Sequence, residues 1–75
     1  MIQFSDHAIE QIKRRKITKS IIRKVLEKPD AIQTSFRNRS IYRKSLKDKT
    51  LEVIVVKEKT KIIVVTAYFI KEYEN

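Results

Sequence analysis

The chain has no cysteine, no glycine and no tryptophan, and only one proline and one histidine in 75 residues. Each gap excludes something. Without cysteine there is no disulfide staple and no thiolate metal site. A single histidine excludes a cluster of imidazole ligands. Without glycine there is no Gly-rich phosphate loop, and the turns must be built from Lys, Asp, Asn and Ser. Acids such as Asp6, Glu10 and Glu52 are scattered, and they suggest neither a paired carboxylate site nor a calcium or magnesium site. No metal and no cofactor are therefore expected. No segment approaches the roughly 20 apolar residues of a transmembrane helix. The opening Met1, Ile2, Gln3, Phe4, Ser5, Asp6 has neither the basic start nor the apolar stretch of a secretory leader. The expectation is a cytoplasmic protein with no membrane partner.

What the sequence has in excess is positive charge. Lysine and arginine number 18 against 9 acidic residues, a formal net charge of +9. Such a balance raises the local potential and steers anions toward the surface, and nucleic acid is the usual anion for a small basic domain. A soluble, highly charged surface with no specific target is the plainer reading of the same count. The length suits one domain, residues 1–75. A domain of this size buries only roughly 60% of its unfolded surface, so packing has little margin and a homodimer would add burial.

The order of local signals is two helices followed by strands. Ser5 is placed as an N-cap, with Phe4 before it positioned to staple onto Ile9. The helix then runs from Asp6 to about Lys16, with Ala8, Ile9 and Ile12 on one face. Thr18 caps a second helix carrying Ile21, Ile22, Val25 and Leu26 at helical spacing, and Pro29 ends it. Ala31 to Phe36 reads as a weak, edge-type strand. Arg37, Asn38 and Arg39 form a turn, Ile41 to Leu46 a strand of mixed polarity, and Lys47, Asp48 and Lys49 the next turn. Leu51 to Val56 and Ile62 to Ile70, joined by a turn over Lys57 to Lys61, are long, β-branched and nearly unbroken, as central strands are. Glu72 to Asn75 is expected to fray. The fold class is α+β, with two N-terminal helices on one face of a four-stranded antiparallel sheet in the order ααββββ.

Several residues carry the right chemistry for an anionic substrate. His7, Gln11 and Arg14 line one flank of the first helix, and Arg15 falls between that flank and the apolar face. Histidine is the side chain whose ordinary pKa lies nearest neutrality, although an exposed first-turn residue is the plainer account of His7. Arg37, Arg39, Arg43 and Lys44 gather cations without nearby carboxylates in the sequence, either as a binding surface or as a solvated basic edge. Strict alternation puts Arg43 and Lys44 on opposite faces, and puts Thr66 and Tyr68 on one face with Ile62 and Val64. Thr66 and Tyr68 are the polar groups inside the last strand, where packing alone would also explain them. Phosphoryl transfer on RNA is feasible with such groups, because the 2′-hydroxyl supplies the nucleophile and His, Tyr, Arg and Lys can move protons and hold charge.

The opening FSDHAIEQIKRRKIT, the helix ending in EKPD and the closing KIIVVTAY resemble a small family of prokaryotic domains similar to the BrnT toxins and, more distantly, to the RelE/ParE superfamily. The resemblance spans nearly the whole chain through short motifs: Ser-x-His-Ala, an Arg just before the second helix, and Thr-x-Tyr in the last strand. It implies a RelE-like fold and a metal-independent endoribonuclease countered by an antitoxin protein. By position it assigns His7, Arg15, Arg43 and Tyr68 to catalysis. Arg14, Arg37, Arg39, Lys44 and Thr66 complete the expected nucleic-acid surface. The chain departs from the family pattern at Gln11, often Arg, and at Lys16, often Gly, which implies one cation fewer and a different end to the first helix. The alternative expectation on the same fold is a non-catalytic module that binds nucleic acid or protein.

Overall fold

The computed structural model describes residues 1–35, 37–47 and 49–71, and of Lys71 the backbone alone. Phe36, the Asp48 position of the expected turn and the expected fraying at Glu72 to Asn75 lie outside the described residues. The elements run β1 (Ile2–Phe4), α1 (Asp6–Arg14), α2 (Lys19–Glu27), β2 (Ala31–Thr34), β3 (Arg39–Leu46), β4 (Lys49–Glu58) and β5 (Lys61–Lys71). The α+β class holds. The sheet, however, is five-stranded and mixed rather than four-stranded and antiparallel, in the order β1-β5-β4-β3-β2. The added strand is β1, which pairs parallel to β5 with Ile2 opposite Ile62 and Phe4 opposite Val64. Three residues are too few for a periodic signal, and their partner lies 60 positions away.

Both helices begin as their caps dictate. The Ser5 hydroxyl accepts from the Ala8 N–H and the Thr18 hydroxyl from the Ile21 N–H. Each thereby satisfies an amide that has no partner within the helix. Phe4 packs against the core with the Lys19 ammonium 5.2 Å from its ring centroid. Helix α1 ends at Arg14, two residues before the expected Lys16, and its end has the form a glycine would give. The Lys16 N–H donates to the Lys13 carbonyl and the Ile17 N–H to the Ile12 carbonyl. This is the paired 5→2 and 6→1 pattern of a Schellman motif. Lys16 holds the left-handed position, φ 57°, and buried Ile17 and Ile12 supply the accompanying apolar contact. The glycine-for-lysine departure therefore leaves the geometry of the helix end intact and places a Cβ where it is disfavoured.

The core lies between the helices and one face of the sheet. Ala8 and Ile12 of α1, Ile17 of the connection and Ile22 and Val25 of α2 pack against Tyr42, Leu51, Val53, Val55, Val64 and Ala67. Helix α1 sits on β5, and α2 on β3 and β4. The spacing of Val64 and Ala67 breaks strict alternation for a specific reason. Ile54 faces Thr66 and Val55 faces Val64, so Val65 is an unpaired bulge residue. A one-residue bulge reverses the facing of the residues beyond it. Thr66 and Tyr68 consequently lie on the face opposite Val64, not beside it as alternation alone predicts. At the far side, Asp30 pins the α2–β2 connection. Its N–H donates to the Arg43 carbonyl, and its carboxylate accepts from the Ser45 N–H at 2.8 Å. No described helix is long and apolar enough to cross a membrane.

A non-glycine residue in the left-handed region costs about 1–2 kcal/mol. Lys16→Gly is expected to stabilise the fold by about 1 kcal/mol, raising Tm by roughly 4–8 °C for a domain this small. Lys16→Val should lower Tm. Thermal unfolding followed by circular dichroism checks both, and a Lys16→Gly variant melting at or below the parent would refute the strain at this position.

Candidate functional site

The two faces of the sheet differ in kind. One is covered by the helices. The other, over which no described element packs, carries a row of polar residues that strand pairing sets side by side. Arg43 on β3 faces Glu52 on β4, and Glu52 faces Tyr68 on β5. Directly opposed residues have Cβ atoms about 4.5–5.5 Å apart, so three neighbouring strands present cation, carboxylate and phenol in one line. The Arg43 guanidinium Nε donates to Glu52 Oε2, and the Tyr68 hydroxyl hydrogen-bonds the same carboxylate. Glu52 is 4% exposed, the one buried carboxylate among the described residues. Arg43 is far more open, its side chain 37% exposed.

Arg15 joins the row from the helical side. Strand β1 stops at Phe4, where the Ser5 N–H takes the Val64 carbonyl. Beyond that point the outer edge of β5 has no strand beside it among the described elements. Arg15, the C-cap of α1, reaches this edge and donates to the Ala67 carbonyl at 2.8 Å and to the Thr66 hydroxyl at 3.4 Å. Its charge is felt at the Tyr68 hydroxyl. That phenol is shifted above its ordinary 10.0 by burial first, then by its hydrogen bond to Glu52 and the charge there. Arg43 and Arg15 partly offset the shift. Tyr68 is thus held protonated near neutral pH and can act as a hydrogen-bond donor rather than a base.

Of the residues proposed from sequence, the structure brings together Arg15, Arg43, Thr66 and Tyr68. It does not place His7 among them. His7 is exposed on the first turn of α1, eight residues from Arg15 and about 12 Å away along the helix axis. Arg14 is exposed and paired with Glu10 at 3.5 Å. Arg37 and Arg39 are exposed at the β2–β3 turn. There Arg37 and Asn38 are consecutive left-handed residues (φ 58° and 62°), and the Ser35 N–H donates to the Arg39 carbonyl across the turn.

The expectation of four cations without nearby carboxylates is corrected. Arg43 is paired with Glu52, and Lys44 lies 3.9 Å from Asp30. Lys44 also points to the helical side, where its ammonium donates to the Lys28 carbonyl at 2.9 Å and caps the end of α2. It is therefore on the opposite face from Arg43. Sequence reasoning missed Glu52, treating it as a scattered acid. The available signal was its place as the one acid within the apolar run Leu51 to Val56. A charge in a strand covered on one face must point to the other or find a partner.

A family described as a domain of unknown function, DUF4258, matches residues 4–69. The chain belongs to the DUF4258 family. That match takes in every residue of the row, together with Arg15 and His7. Comparison with curated proteins and with solved structures gave no match.

Two outcomes test the row as a physical unit. Arg43→Met leaves Glu52 with its Tyr68 bond but no counter-charge. Because Arg43 is more than a third exposed, the expected cost is about 1–2 kcal/mol, below that of a fully buried pair. Adding Glu52→Gln should recover part of it, giving a non-zero coupling in a double-mutant cycle by urea unfolding; strict additivity would mean the pair is not coupled. The second outcome concerns pH. Tyr68 has a raised pKa in the fold, so above its ordinary 10.0 the native state keeps a proton the unfolded chain has released. Its contribution is complete below pH 10.0 and is lost as pH rises through the folded value. Tyr68→Phe should flatten stability against pH above 10 relative to the parent, and an unchanged slope would contradict the shift.

Proposed function

We propose that the chain is a toxin-like, metal-independent endoribonuclease with the Arg43–Glu52–Tyr68 row, flanked by Arg15, as its active surface. The observation that carries the reading is the convergence of two arginines, a carboxylate and a protonated tyrosine on the uncovered face of the sheet. The charge of +9 supports a polyanionic substrate. The resemblance of FSDHAIEQIKRRKIT and KIIVVTAY to BrnT and RelE/ParE toxins supports the reaction class.

In this mechanism RNA lies across the open face with a phosphate near Arg43 and Arg15. The 2′-hydroxyl attacks the adjacent phosphorus and its proton passes to Glu52. The two guanidiniums stabilise the charge on the phosphorane oxygens. The bond from phosphorus to the 5′-oxygen breaks, and that oxygen takes a proton from the Tyr68 hydroxyl, which the Glu52 carboxyl restores with the proton it accepted from the 2′-hydroxyl. The products are a 2′,3′-cyclic phosphate and a free 5′-hydroxyl. Tyr68 keeps the Glu52 carboxylate aligned through its hydrogen bond, and Thr66 does the same for Arg15. Arg14, Arg37 and Arg39 contribute attraction to the backbone. An antitoxin-type protein partner belongs to the same reading.

A second reading, a non-catalytic nucleic-acid or protein-binding module, has one observation in its favour. Both arginines of the site already have partners, Glu52 for Arg43 and the Ala67 carbonyl for Arg15.

One experiment separates the two. Mixed cellular RNA is incubated with the protein in EDTA and product ends are analysed. Cyclic-phosphate ends are expected, with Glu52→Gln and Tyr68→Phe each slowing cleavage about 10²–10⁴-fold while the fold is kept. Intact RNA, together with binding that weakens steeply with salt, would overturn the enzyme reading in favour of the module.

A further inference from the structure

The helical side of the sheet carries a second feature. Alongside α2, a groove of about 410 Å³ opens between that helix and the β3–β4 hairpin, lined by Ile21, Lys24, Val25, Lys44, Leu46, Lys47 and Lys49. Its floor is apolar: Ile21 of α2 and Leu46 of the hairpin are partly buried there, with Val25 fully buried beneath them. Its rim is entirely lysine, and no described acid lines it. Lys44 is held by the Lys28 carbonyl and Asp30, and Lys24, Lys47 and Lys49 add their charges to the rim. The Lys49 ammonium lies 5.2 Å from the ring centroid of Phe69, a residue 37% exposed, so apolar surface continues beside the groove.

We propose that this groove is the docking site for an acidic amphipathic helix of a partner protein. The composition selects among occupants. A phosphate backbone would use the lysines and leave the apolar floor wet. A second copy of this chain brings its own charge of +9 and is repelled. A helix with apolar residues at i, i+3, i+4 and i+7 covers the apolar surface formed by Ile21, Leu46 and the neighbouring Phe69, and flanking carboxylates meet the lysine rim. The groove lies on the face opposite Arg43, Glu52 and Tyr68, so a helix seated there leaves the row accessible. The proposal does not depend on ribonuclease activity, and a negative cleavage assay leaves it standing.

The test uses a labelled synthetic helix with leucine at those four positions and glutamate elsewhere, beside a scrambled peptide of identical composition. Fluorescence anisotropy with the full chain is expected to give at least tenfold tighter binding of the amphipathic peptide. The double variant Lys47→Glu/Lys49→Glu should lose tenfold or more, while Lys13→Glu/Lys61→Glu, with the same change of net charge elsewhere, should lose less than threefold. Circular dichroism confirms that each variant is folded. Leu46→Gln, which keeps every charge, should also weaken binding, which separates the floor from the rim. Equal affinity for both peptides, or equal losses in the two charge variants, would overturn the proposal in favour of undirected charge attraction. Binding to phosphatidylglycerol vesicles without affinity for the peptide would overturn it in favour of a membrane surface.

Discussion

Glu52 sits in the central strand with 4% of its surface exposed, and an ionised carboxylate cannot remain there alone. Desolvation would cost several kcal/mol unless opposite charge and hydrogen bonds replace the lost water. Strand pairing supplies both, Arg43 from one neighbouring strand and the Tyr68 hydroxyl from the other. This sets the polarity of the sheet. Leu51 and Val53, on either side of Glu52 in sequence, must point to the helices, and the polar row must form on the side the helices leave open. The register of three strands is thereby tied to one electrostatic requirement, since a slip of one residue would bury Arg43 among the helices and set Val53 where Glu52 belongs.

The bulge at Val65 serves the same arrangement. Before it, Val64 points to the core and closes the sheet beneath β1. After it, Ala67 points to the core and Thr66 and Tyr68 to the open face. Bulges often re-aim side chains beside active sites, and here the bulge falls just past the point where β1 ends. The strand edge it leaves bare is the one Arg15 caps. Backbone, helix terminus and side-chain chemistry therefore meet within four residues of β5.

Much of this order was legible in the amino acids. Ser5, Thr18 and Pro29 mark the limits of the helices because capping and proline geometry are local. The β-branched runs marked β4 and β5 because such strands are covered. Strand β1 was not legible: Ile2, Gln3 and Phe4 show no period, and their pairing with β5 is a tertiary event. The site was half legible. Arg15, Arg43, Thr66 and Tyr68 stood out by residue type. Glu52 did not, because its meaning lies in its cross-strand neighbours. The true facing of Tyr68 depends on one unpaired residue that β-branched composition cannot reveal. Lys44 was drawn to the wrong company for the converse reason, since its partners Lys28 and Asp30 lie in a connection that sequence alone does not fold back onto β3.

The parallel pairing of β1 with β5 has a further consequence, for the time course of folding. Ile2 meets Ile62 and Phe4 meets Val64, so the first described strand is completed by the last. The other neighbours in the sheet are joined by tight hairpins, which close within microseconds, whereas the β1–β5 pair must close almost the whole chain and bear its loop entropy. During synthesis β1 and α1 leave the ribosome long before β5 exists. Ala8 and Ile12, which finally rest against that strand, must stay exposed until it arrives.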